Sequence, residues 1–104
     1  MERVLVRIYL REDLRVGKEL AYKKALYTLK ELGICGATVL KAIAGYGTTG
    51  EEHYEGLEVL SYSLPVVVEF VEEEEKALQA VKVITGFIKK GLITFERAKQ
   101  WNCS

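Results

Sequence analysis

Gly45, Gly47 and Gly50 follow a run of strand-forming residues with the spacing Gly-x-Gly-x-x-Gly, and Glu69 stands about twenty residues further on. In a dinucleotide-binding fold such glycines bring the backbone against a pyrophosphate and such a carboxylate holds a ribose. Two features count against that chemistry here. A true fingerprint opens directly into a helix whose N-terminus faces the phosphates, whereas Glu51 and Glu52 would put carboxylates there. A chain of 104 residues is also too short for a doubly wound sheet. The glycines can still expose successive backbone amides as a small anion-binding nest, or they can simply turn the chain at the end of a strand.

The other reactive residue types are sparse. The single histidine, His53, sits among Glu51, Glu52 and Glu55, which is a conceivable divalent-metal site without a second histidine or a cysteine at ligand spacing. The same histidine would have to serve any serine or cysteine nucleophile, and nothing indicates what would orient it, so the sequence reads as a non-enzyme. Lys89, Lys90 and Gly91 read as the ordinary basic end of a helix and also as potential phosphate ligands. Trp101, near Glu96, Arg97 and Lys99, either staples the terminus to the body or meets a neighbouring subunit. Cys35 and Cys103 form no Cys-x-x-Cys pair and read as free thiols, Cys35 packed and Cys103 on a loose tail.

These residues have to be positioned by one small core. Half of the residues, 49%, are hydrophobic, enough for one domain spanning 1–104. Fifteen Lys and Arg balance fifteen Asp and Glu, leaving no overall field to attract nucleic acid or an acidic membrane surface. No apolar signal core opens the sequence, and no stretch reaches the ~20 apolar residues of a spanning helix, so the expectation is a soluble, cytoplasmic protein without membrane insertion.

Alternation from Val4 to Leu10 predicts a first strand, with Val4, Val6, Ile8 and Leu10 on one face and Leu5, Arg7 and Tyr9 on the other. Between Lys18 and Leu32 apolar residues recur at three- and four-residue spacings, predicting a helix stopped by Gly33. Ala37 to Ala44 is a second strand. Residues 47–63, interrupted by Gly56, read as an excursion. The only proline, Pro65, opens a third strand through Val71, where a missing amide hydrogen does least harm. Glu72 to Glu75 then start a helix that runs to Lys89 and Lys90, each end suited to the helix dipole, and Gly91 stops it. Leu92 to Phe95 form a short final strand, and 97–104 is a tail.

The order strand, helix, strand, strand, helix, strand predicts an α+β fold of the ferredoxin-like βαββαβ type. Its four-stranded antiparallel sheet carries both helices on one face. The uncovered face is expected to show Leu5, Arg7 and Tyr9 from the first strand and Val39, Lys41 and Ile43 from the second. From the third it shows either Val66, Val68 and Phe70 or Val67, Glu69 and Val71. An apolar patch of that size predicts self-association, with Arg7, Lys41 and Glu69 either paired at the interface or exposed against aggregation.

The ordered landmarks Gly33-Ile34-Cys35-Gly36-Ala37-Thr38-Val39, Gly45-Tyr46-Gly47, Tyr54-Glu55-Gly56, Leu64-Pro65 and Glu69 resemble those of the PII signal-transduction proteins. With Lys89-Lys90-Gly91-Leu92-Ile93-Thr94, the set is similar to that of the small uncharacterised PII-like family of bacteria and archaea. The resemblance implies a homotrimer with inward-facing sheets, adenine nucleotides bound in the clefts between subunits, and a T-loop at 47–63 that contacts a regulated protein. By position it implies that Thr38 and Glu69 lie near the base and that Gly45, Tyr46, Gly47 and Thr48 form the loop entrance beside the phosphates. Lys89, Lys90 and Gly91 fall at the second phosphate-binding loop, and Arg97 on the basic C-terminal strand.

The second loop lacks the Gly-Asp-Gly-Lys sequence of PII proteins and the basic strand is reduced to Glu96-Arg97-Ala98-Lys99, so the resemblance favours AMP over a triphosphate. Val59 occupies the place of the tyrosine that some PII proteins have nucleotidylated. The leading expectation is a trimeric sensor with no required cofactor and AMP or another adenine nucleotide as ligand. The alternatives are a metal-binding or metal-tolerance protein using His53, and an enzyme acting at a subunit interface.

Overall fold

The first strand is longer than the alternating run that announces it. In the computed structural model, which describes residues 2–45 and 64–103, β1 spans Glu2–Arg11, with Val4, Val6, Ile8 and Leu10 buried and the residues between them partly exposed. β1 lies at the centre of a four-stranded antiparallel sheet of order β4-β5-β1-β6, formed with Ala37–Lys41 (β4), Pro65–Glu72 (β5) and Leu92–Lys99 (β6). Two helices, Ala21–Glu31 (α1) and Glu74–Thr85 (α2), bury Ala21, Ala25 and Leu29, and Ala77, Ala80 and Ile84, against one face. This is the ferredoxin-like α+β arrangement. Small alanines on both helices bring their backbones close to the Val and Ile surface of the sheet.

Each helix has a physical start and stop. The expected first helix begins at Lys18, but Arg15–Val16 (β2) and Glu19–Leu20 (β3) instead form a small hairpin whose turn uses Gly17 at φ +63°. The Lys18 carbonyl accepts a bond from Arg15 Nη1 at 2.8 Å, and the Ala21 amide donates to Leu14 O at 2.8 Å. The helix therefore starts three residues late. It ends as expected, with Gly33 at φ +81° and the Ile34 amide returning to Leu29 O at 3.1 Å.

α2 opens with Glu74 and Glu75 in its first turn, favourable to the dipole. The buried Glu72 accepts the Glu73 amide at 3.1 Å and pairs with Arg3 at 3.3 Å. The helix closes at Thr85 rather than Lys90. Gly86, Phe87 and Ile88 turn back on its last carbonyls, which drops Ile88 into the core at 5% exposure. Lys89 and Lys90 thus lie in the connection to β6. Gly91 serves close approach instead of helix termination: at φ +136°, a Cβ there would meet Tyr9 O at 2.7 Å.

The register decides what the open face carries. Val68 stands opposite both Ile8 and Val39, while Glu69 stands opposite both Arg7 and Thr38. Opposite residues in an antiparallel pair point to the same side, so β5 presents Val67, Glu69 and Val71 and β4 presents Thr38 and Leu40. The expected trio Val39, Lys41 and Ile43 is corrected. Ala37 and Val39 pack against the core, and Lys41 reaches along the edge to Glu12 at 3.3 Å. A one-residue difference in register exchanges the faces of a whole strand. β6 also runs through Arg97 to Lys99, four residues beyond the expected end, so the tail begins at Gln100.

Candidate functional site

Thr38 and Glu69 are neighbours across β4 and β5, and with Arg7 and Thr94 they form one row across the open face. Arg7 is the hub of that row. Its Nε donates to Glu69 Oε2 at 3.3 Å, and its Nη1 donates to Glu96 Oε1. The bond to Glu96 raises the pKa of Arg7 above its ordinary value, desolvation opposing, with the Glu96 charge and the Glu69 bond adding to the rise. Arg7 therefore remains a fixed positive charge between two carboxylates. The expected grouping of Arg7, Glu69 and Lys41 is met in part: Arg7 and Glu69 pair within one chain, Lys41 turns to Glu12, and Glu96, beyond the expected end of the last strand, joins through strand register.

At the β4 side of the row a concavity of about 270 Å³ is lined by Leu5, Thr38, Glu69 and Val71 from the sheet and by Gln100 and Asn102 from the tail. Its floor is apolar, and its rim offers a hydroxyl, a carboxylate and two carboxamides. Such a mixture can take a flat heteroaromatic group and hydrogen-bond its edge. The tail residues were not foreseen as part of any site. Their presence follows from a second correction: Cys35 and Cys103 are joined as a disulfide, with Cα atoms 6.0 Å apart, and neither is a free thiol. Cys35 is exposed rather than packed. The bond spans 68 positions, a pairing that only the fold brings about.

The remaining expected residues fall elsewhere. Lys89, Lys90 and Gly91 line a separate concavity of about 200 Å³ with Thr85, Ile8 and Ile93, between the end of α2 and β6. Lys89 Nζ donates to the Thr85 carbonyl at 3.2 Å, so in this conformation it caps the helix. Gly45 lies near the start of β5, where its Cβ position is 3.2 Å from Pro65 Cγ. Arg97 is six residues along β6 from Gly91, roughly 20 Å at the rise of a strand, and pairs with Glu2 at 3.6 Å. One chain therefore joins Thr38 to Glu69 but does not bring either to Lys89, Lys90 or Arg97. Tyr46, Gly47 and Thr48 lie outside the described residues, as does His53 with its neighbouring glutamates. Among the described residues no cluster of three or more His, Cys, Asp or Glu is placed to hold a metal ion, and no helix is long and apolar enough to cross a membrane.

Residues 3–100 match the family model DUF190, described as Uncharacterized ACR, COG1993. The chain belongs to the DUF190 family. A UPF0166 protein of Aquifex aeolicus (strain VF5) is 46% identical to it over 101 residues, covering 97% of this chain and 99% of that protein. A UPF0166 protein of Methanocaldococcus jannaschii is 41% identical over 90 residues, covering 86% and 82% respectively. Among solved structures, CPII from Thiomonas intermedia K12, described as bound to ADP, AMP and acetate, shares the fold with a TM-score of 0.63. That match has 14% identity and covers 95% of this chain and 90% of CPII. The DUF190 chain thus has a PII-like fold, in agreement with the resemblance read from its landmarks.

Proposed function

We propose that this DUF190 protein is a PII-like regulator, not an enzyme, that binds an adenine nucleotide, AMP in preference, in clefts completed by neighbouring copies of the chain. The observation that carries the reading is the division of the site. Thr38 and Glu69 frame a concavity suited to a base, while the basic groups suited to a phosphate, Lys89, Lys90 and Arg97, lie apart from it on the same chain. A second copy is the simplest source of the missing half. The open face supplies a reason for copies to meet, since Leu40 and Leu92 are 48% and 58% exposed beside Tyr9, Val67 and Val71. The likeness in fold to CPII, whose structure is described with ADP and AMP bound, supports the choice of ligand class.

In this reading three copies associate through the open faces, and residues 47–63 carry the signal to a regulated protein. Nucleotide shifts that segment only so far as it binds one arrangement better than another, a coupling of ~1 to 3 kcal/mol in ordinary cases. Calorimetric titration of the purified oligomer with AMP, ADP and ATP tests the proposal. Saturable binding with AMP tightest is expected. Binding of no adenine nucleotide by a folded oligomer would refute it.

A further inference from the structure

The tail does not trail away from β6. Lys99 is paired with Glu2 at one edge of the sheet, yet four residues later Cys103 is bonded to Cys35, just ahead of β4 at the other edge. The strand order β4-β5-β1-β6 puts three interstrand spacings between those edges, roughly 14 Å. Four residues of extended chain reach about the same distance, so the tail has little slack. In crossing β1 and β5 it lays Gln100, Asn102 and Cys103 beside Thr38 and Glu69, and these residues form the outer wall of the 270 Å³ concavity.

Among the described residues little besides the disulfide fastens this wall. Gln100 Nε2 bonds within the tail, to the Asn102 carbonyl at 2.8 Å, and Trp101 projects into solvent at 90% exposure. Cys35 and Cys103 are themselves exposed and open to a thiol reagent. We propose that the Cys35–Cys103 disulfide is a reversible redox latch: oxidised, it holds residues 100–103 across the open face as a wall over Thr38 and Glu69, and reduced, it releases the tail and removes that wall.

The chemistry is thiol–disulfide exchange with a low-molecular-weight thiol or dithiol. A thiolate attacks one sulfur, forms a mixed disulfide and expels the other cysteine as thiolate, which takes up a proton. A second thiol then displaces the first cysteine. In sum two electrons and two protons pass to the protein and the reagent leaves as its disulfide. After reduction the Cys35 thiol can donate to the Cys103 carbonyl, 3.0 Å from its sulfur, but a thiol is a weak donor and this bond is exposed. The low-molecular-weight disulfide reverses the exchange, taking back two electrons and two protons, and the released tail, still tethered at Lys99, confines Cys103 to the neighbourhood of Cys35, so the same pair re-forms.

The consequence for ligand rests on the nucleotide reading above. A wall ordered before binding spares the ligand the cost of ordering it, so the oxidised form should bind AMP about tenfold more tightly than the reduced form.

Trp101 is the only tryptophan, and its fluorescence anisotropy reports on the strap without any ligand. The oxidised full-length protein is treated with a dithiol, with reduction verified by mass. Anisotropy should fall, amide exchange at 100–103 should quicken, and reoxidation should reverse both. The C35S/C103S variant should start at the reduced values and ignore the dithiol. Unchanged anisotropy and exchange on complete reduction would overturn the latch. AMP titration of both forms tests the wall: equal Kd values despite a freed tail would overturn its role in binding. Absence of AMP binding in either form would count against the nucleotide reading alone, with the Trp101 and exchange measurements still deciding the latch.

Discussion

At the scale of single residues, the same glycine type performs different work. Gly33 was legible as a helix stop, because a left-handed residue after an apolar-periodic run is a common local solution. Gly91, after Lys89 and Lys90, reads as the same kind of stop, but it is needed because β6 enters the sheet against Tyr9, a contact made between residues far apart in sequence. Gly91→Ala is expected to destabilise the fold by about 2 to 4 kcal/mol through its positive φ and the clash with the Tyr9 carbonyl, read as a lower urea midpoint. An unchanged midpoint would show that the connection relaxes freely. Glu69 has the opposite profile. Its bond to Arg7 is partly exposed and replaceable by Glu96, so Glu69→Gln should cost less than ~1 kcal/mol of stability. The same change should weaken AMP binding about tenfold if the carboxylate accepts a hydrogen bond from the base. Parallel loss of stability and affinity would instead mark Glu69 as structural.

Among the elements, β1 and β5 were legible because their alternation is strict and one face is buried against helices. β4 was not. Ala37 to Ala44 carries apolar residues at both parities, so parity alone could not choose between Val39 and Leu40, and pairing with β5 made the choice. Lys41 is tolerated on the core side because β4 is an edge strand and its stem can run outward to Glu12. The end of α2 misled for a related reason. Ile88 follows Ile84 at a helical spacing and is buried, so periodicity counts it as helix although the chain has already turned. The candidate site residues divided likewise: Thr38 and Glu69 met through strand pairing, whereas the Cys35–Cys103 bond and the tail it holds left no local pattern to read.

For the whole molecule, the open sheet face has to be reconciled with a chain that carries no net charge to keep copies apart. Leu5, Tyr9, Leu40, Val67, Val71 and Leu92 surround the Arg7 cluster on that face. In the proposed oligomer apolar residues would promote contact there, and fixed charges at the centre would restrict which register is accepted, since a displaced partner would bury Arg7 or a carboxylate without its counter-ion. Val67 lies between Leu40 and Tyr9 and is the position to test. Val67→Glu would place an unpaired carboxylate among apolar groups at each copy's contact, forfeiting on the order of 2 kcal/mol of apolar burial per subunit before the charge is counted. Sedimentation should then show monomer at concentrations where the parent protein is oligomeric, with the far-ultraviolet circular dichroism unchanged. Leu92→Glu, at a more exposed position on the β6 edge, should act in the same direction and is less exposed to the objection that the sheet itself was damaged. If both variants kept the parent mass, the open face would not be the contact surface, and the missing phosphate ligands would have to come from copies joined elsewhere.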